Sequence, residues 1–220
     1  MRIGIELNGV LRDTIGKITQ VYQKHLIDGH KDYFTGKTFE LDLSGNTEET
    51  QHEDEFKYEI LSDVTTTDLM NHFKFRSKEE LYEFLYEDHT MEIFGHSGSV
   101  EMSGMQDLND FYINMRNDHD ILIVSDEVGK SKPASLFFIS KFGCLVECVK
   151  FYSESTINSM WDSIDVLLTA NPKLILSNPE DKVVIKFNTK YNTSVNTKYS
   201  ISSIKELTEI IQKIYDTNIR

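Results

Sequence analysis

Residues 1–14 read MRIGIELNGVLRDT. Ile3 to Leu7 form a short apolar run of the kind that makes a buried parallel strand, and a single carboxylate, Glu6, sits inside it. Asn8-Gly9 breaks the run. From Ile15 the spacing Ile15, Ile18, Val21, Tyr22, His25, Leu26 has helical period, so the segment predicts strand, tight loop and helix. Asp13 stands where it would cap that helix, whose first turn presents backbone N–H groups towards the loop.

Working outward, Ile121-Leu122-Ile123-Val124 is a second fully apolar strand, ending at Ser125. Further strands are expected near Val149–Phe151, Val166–Leu168 and Val183–Phe187. Helices are expected over Leu108–Met115 and Pro133–Phe142, and from about Ser203 to Tyr215 with Ile204, Leu207, Ile210, Ile211 and Ile214 on one face. Strands separated by helices predict an α/β fold with a parallel sheet covered on both faces. Residues 31–66 mix short aromatic pieces with glycine and acidic residues, which suggests hairpins or irregular loops. Ser77-Lys78-Glu79-Glu80 reads as a capping box opening a helix from Leu81 to about Asp88, and Gly95 to Gly104 reads as a hinge.

Composition sets bounds on function. The chain has 220 residues, 39% of them hydrophobic, enough for one substantial core and a second small unit. Its formal charge of -13 repels phosphate backbones, so binding to a nucleic-acid polymer is not expected. Much of the acid lies between Glu48 and Glu55, as in a solvated loop; a basic partner is the other reading. No apolar run approaches the roughly 20 residues of a membrane span, and Met1 leads straight into a strand, so a cytoplasmic location is expected. Cys144 and Cys148 lie in an apolar stretch, Gly143 to Phe151, and read as buried thiols. The histidines at 25, 30, 52, 72, 89, 96 and 119 show no metal-ligand spacing, and no nucleophile motif accompanies them. Gly129-Lys130-Ser131 lacks the upstream glycine of a phosphate-binding loop.

Residues 6–14 and their later counterparts resemble the signatures of the haloacid dehalogenase (HAD) superfamily. There a buried strand ends in D-x-D-G-[TV]-[LV]-x-[DN]-[ST], the first Asp being the nucleophile and the second the acid/base, and both help to hold magnesium. Here those positions carry Glu6 and Asn8. The ILIVS run ending at Ser125 matches the second signature, whose hydroxyl bonds the phosphoryl group, and its place roughly 120 residues on suits a large inserted cap. Lys132 sits where the third signature has its lysine, with Lys130 as a second candidate. The segment from Asp165 to Pro172 resembles the fourth signature of the 5'(3')-deoxyribonucleotidase-like branch, yet Thr169 and Ala170 stand where two carboxylates belong.

The resemblance implies a Rossmann-like core at 1–19 and 105–220 with a mainly helical cap at 20–104. It implies Glu6, Asn8, Ser125 and Lys132 as the catalytic positions, and Glu6, Asn8 and Thr169 as the ligand positions of a magnesium ion. Magnesium takes near-octahedral oxygen ligands, mostly carboxylates from the protein, and only Glu6 supplies one. Glu is also one methylene longer than Asp, which shifts its oxygen by about 1 Å, and misplacement on that scale can cost about 100-fold. The expected function is therefore a degenerate HAD-like protein that needs no cofactor and serves in binding, assembly or regulation through an unidentified protein partner or a small phosphorylated ligand. Its composition suggests a viral or phage source, hence host cytoplasm. The alternative is a divergent, magnesium-dependent phosphatase or nucleotidase using Glu6, Ser125 and Lys132.

Overall fold

The computed structural model describes residues 1–29 and 56–218. In chain order the elements are β1 (Arg2–Glu6), α1 (Thr14–Tyr22), α2 (Lys78–Glu83), α3 (Gly104–Met115), β2 (Asp120–Asp126), α4 (Ser131–Lys141), β3 (Cys148–Tyr152), α5 (Ile157–Asp162), β4 (Val166–Thr169), α6 (Pro172–Leu176), β5 (Val183–Phe187), β6 (Tyr199–Ile201) and α7 (Leu207–Asn218). The acidic run before Phe56, most of the expected hairpin region, and His30 and His52 lie outside the described residues.

The six strands form one parallel sheet in the order β3-β2-β1-β4-β5-β6. Strand β1 is central because its neighbours are as apolar as it is. Ile3, Ile5, Ile121, Ile123, Val166, Leu168 and Ile185 share a core with residues of α3, α4 and α7 on one face. Leu122, Val124, Leu167 and Val184, alternating with them, pack on Met160 and Trp161 of α5 and on Leu174 and Ile175 of α6 on the other. This period of two explains Gly4, since a Cβ there would lie 3.0 Å from Ile164. The chain reverses its direction of winding between β1 and β4, which opens a crevice at the carboxyl ends of those strands.

A third cluster sits beside the sheet. Phe73, Phe75, Phe84, Leu85, Ile93 and Phe94 pack against Ile18, Val21 and Tyr22 of α1 and Ala134 of α4. Tyr22, fully buried, donates to the carbonyls of Lys74 (2.6 Å) and Glu59 (3.2 Å), fastening this segment to α1. The chain around Gly98 to Val100 returns alongside the β1 loop, where Asp13 N–H donates to Gly98 O and Val100 N–H to Leu11 O.

The structure corrects the sequence reading at several points. Ser77 caps α2 by accepting from Glu80 N–H, but Glu80 reaches back to the N–H of Arg76, not Ser77, so the box is displaced by one residue. Cys148 is exposed and Cys144 only half-buried, because β3 is an edge strand whose outer side has no neighbour. Strand β6 was not expected; three residues at an edge are too short to show a period. Among the described residues no helix is long and apolar enough to cross a membrane.

Because Ile123 is fully buried at the sheet's centre, Ile123→Ala is expected to cost about 2–5 kcal/mol in urea unfolding, whereas Leu145→Ala, at an exposed site, should change stability by less than about 0.5 kcal/mol.

Candidate functional site

Strand alternation decides what meets at the crevice. Glu6 is the last residue of β1, Thr169 of β4, and Ser125 lies next to last on β2. All three are buried. Thr169 donates its hydroxyl to Glu6 Oε2, and Tyr152, at the end of β3, donates to Glu6 Oε1 at 3.1 Å. Burial pushes the Glu6 carboxyl up to about 7, against the pull of those hydroxyls, and Asp126 adds repulsion. Burial raises Asp126 as well, and it raises the Tyr152 and Tyr191 phenols, which therefore stay protonated near Glu6.

Asn8 is held from the opposite side. Its Oδ1 accepts from Arg12 Nη2 (2.6 Å), Arg12 Nε (3.1 Å) and Thr14 Oγ1 (2.7 Å), while its Nδ2 lies 3.4 Å from Ser125 Oγ. Arg12 is 0% exposed. Its remaining donors go to Thr14 Oγ1, Phe94 O, Ser135 Oγ and, at 2.5 Å, Glu127 Oε1. That same Glu127 oxygen accepts from Ser125 (2.9 Å) and Ser135 (2.7 Å), and Glu127 Oε2 is buried with no partner among the described residues. The guanidinium also faces the rings of Phe94 and Phe138. Burial draws Arg12 below its ordinary value and Glu127 opposes this; an arginine starts so high that it stays charged.

The predicted positions thus separate into two groups. Glu6, Asn8, Ser125 and Thr169 converge. Lys132 does not join them: it is exposed on the first turn of α4, where Ser131 and Ala134 are the buried residues, followed by Ser135. Lys130 pairs instead with Glu87 at the surface. Asp13 caps α1 by accepting from Gly16 N–H, as its position in the sequence suggested. Asp165 binds Arg2 at the far end of the sheet.

Arg12, Glu127, Tyr152, Asn171 and Tyr191 were missed as site residues. Nothing local marks Arg12, which stands between Leu11 and Asp13, and the others arrive from distant segments. Gly9 has φ +76°, and a side chain there would collide with Tyr191, so the loop and residue 191 fit only with glycine.

Above these groups is a cavity of about 190 Å³. Its floor holds Glu6, Asn8, Asp126 and Asn171, and its walls include Ile18, Leu69, Leu85, Tyr86, Phe94 and Tyr191. Among the described residues no lysine or arginine lines it.

Two solved structures share this architecture over nearly the whole chain. One, described as a dehalogenase with an intermediate complex, is 9% identical with a TM-score of 0.51, covering 95% of this chain and 96% of its own. The other, a haloacid dehalogenase-like family hydrolase from Xanthomonas campestris, is 11% identical with a TM-score of 0.51, covering 97% and 95%. The fold is that of the haloacid dehalogenase-like hydrolases. No protein-family model and no curated protein matches the sequence. At such identities the HAD likeness speaks for the scaffold, and the site has to be judged on its own atoms.

Judged so, Glu6 and Asn8 do not suit magnesium. Both Glu6 oxygens accept from hydroxyls, and the Asn8 oxygen is covered by a guanidinium that a divalent cation would have to meet at close range. Ser125 directs its proton to Glu127, so it is committed as a donor.

Two outcomes follow. Arg12→Met leaves Glu127 buried and unpaired and should cost about 3–5 kcal/mol, while the Arg12→Met, Glu127→Leu double variant should recover much of that loss in a urea double-mutant cycle. Glu6 has a folded value raised above its unfolded one, so the folded state holds the extra proton and stability falls as pH rises from about 4.5 to about 7. Glu6→Gln should remove a pH-dependent loss on the order of 3 kcal/mol across that window, read from unfolding at pH 5 and pH 8.

Proposed function

We propose that this HAD-fold protein is a binding or regulatory protein rather than a phosphatase, with residues 20–104 as a cap over the crevice. The observation that carries this reading is Arg12, which occupies the Asn8 oxygen and the Glu127 carboxylate together. The cation at the site among the described residues is Arg12, already neutralised by Glu127. Phosphoryl transfer depends on positioning and charge stabilisation, and here the charge is spent inside the protein.

The cavity chemistry supports the same reading and narrows the ligand. With Glu6 and Asp126 on its floor and no basic residue on its lining, it suits a small neutral or cationic molecule better than the phosphorylated ligand expected from the HAD resemblance. Tyr86, Phe94 and Tyr191 give it aromatic walls that favour an apolar or cationic body. The net charge of -13 suits a basic protein partner.

Phosphatase assays with magnesium against nucleoside monophosphates and an aryl phosphate should show no turnover in the parent above that of Glu6→Gln. Turnover near about 1 per second, lost in Glu6→Gln, would overturn the reading in favour of a divergent phosphatase. Restoring carboxylates separates the causes. In a Glu6→Asp, Asn8→Asp, Thr169→Asp variant, Arg12 would pair with the new Asp and compete with magnesium; adding Arg12→Leu with Glu127→Gln should then raise magnesium affinity, measured calorimetrically.

A further inference from the structure

Away from the crevice, the fold brings together side chains that are 67 positions apart in the chain. His25, on the helical extension of α1, has its Nε2 2.9 Å from Oε2 of Glu92. His89 stands at the bend that ends the helical stretch Phe84–Asp88, and Glu92 belongs to the next stretch, Met91–Gly95. The His25 and His89 rings stack with centroids 4.2 Å apart. One ligand atom from each of the three residues lies within 4.8 Å of the others, and all three side chains are half-buried.

We infer that His25, His89 and Glu92 form a binding site for a borderline divalent metal ion such as zinc. Two imidazoles and one carboxylate are a donor set that zinc takes, leaving a fourth tetrahedral position to water. Ligands about 2.0 Å from a tetrahedral ion stand about 3.3 Å apart, so separations of up to 4.8 Å need to close by at most about 1.5 Å, with the rings tilting out of their stack.

Glu92 turns its Oε2 to His25. The lysines use the other oxygen: Lys24 Nζ is 3.0 Å and Lys17 Nζ 3.8 Å from Oε1, so Oε2 is the one directed to the histidines. Metal would replace the proton now shared between His25 and Glu92. The bland alternative is a histidine-carboxylate clamp that binds no ion.

The test is zinc titration of the full chain by calorimetry, in a Cys148→Ser background because that exposed thiol is an adventitious ligand. Cobalt provides a second readout through its visible absorption. A single site of micromolar affinity is expected, weakened at least about tenfold by either His25→Ala or His89→Ala and unaffected by His96→Ala. Should an alanine variant fold poorly, the unmodified chain still decides: zinc should shift the NMR signals of the His25 and His89 imidazole rings and leave those of His96 in place. Absence of saturable binding at submillimolar zinc would overturn the inference, as would binding that survives both histidine substitutions or leaves both imidazoles unmoved.

Discussion

Arg12 is fully buried, and each of its three nitrogens finds an acceptor: Asn8, Thr14, Phe94 O, Ser135 and Glu127. A charge in that position is tolerable only when paired and fully hydrogen-bonded, which forces the surrounding segments into register. The β1 loop, the end of β2, the first turns of α4 and the Phe94 segment are tied through one side chain. The returning chain at Gly98 to Val100 braces the same loop through backbone bonds. In this geometry Asn8 and Ser125 have become members of a structural network, and their atoms are oriented towards the protein.

The consequence for Glu6 is of a different kind. It sits on the far side of the crevice with two hydroxyls donating to it, and burial brings its proton affinity close to neutrality. With its value raised to about 7, Glu6 gains or loses its proton near neutral pH. Together with Asp126 it gives the cavity floor a negative character that the buried Arg12 does not offset, because that charge is already matched by Glu127.

How much of this was legible in the sequence depends on whether the signal is local. Strands β1 to β5 are apolar runs bounded by breakers, so each appears within a few residues of its place, and the α7 stripe of Leu207, Ile211 and Ile214 follows helical period. Glu6, Asn8, Ser125 and Thr169 were legible through the resemblance of their segments to the HAD signatures. Arg12 was not: charged residues are mostly exposed, and only the tertiary placement of Glu127, Ser135 and Phe94 makes its burial favourable. Lys132 failed for the same reason, since nothing local distinguishes an inward from an outward residue on the first turn of α4. The pairing of His25 with His89 depends on how the aromatic cluster folds back on α1, which no spacing within either segment reveals.

Arg12 closes off the Asn8 side-chain oxygen. Nitrogen-15 NMR of the Arg12 guanidinium tests it most directly. Its Nε–H should exchange slowly with solvent and stay unmoved when magnesium, phosphate or both are added at millimolar concentration. A saturable shift of that resonance with magnesium, or rapid exchange in the free protein, would contradict the account.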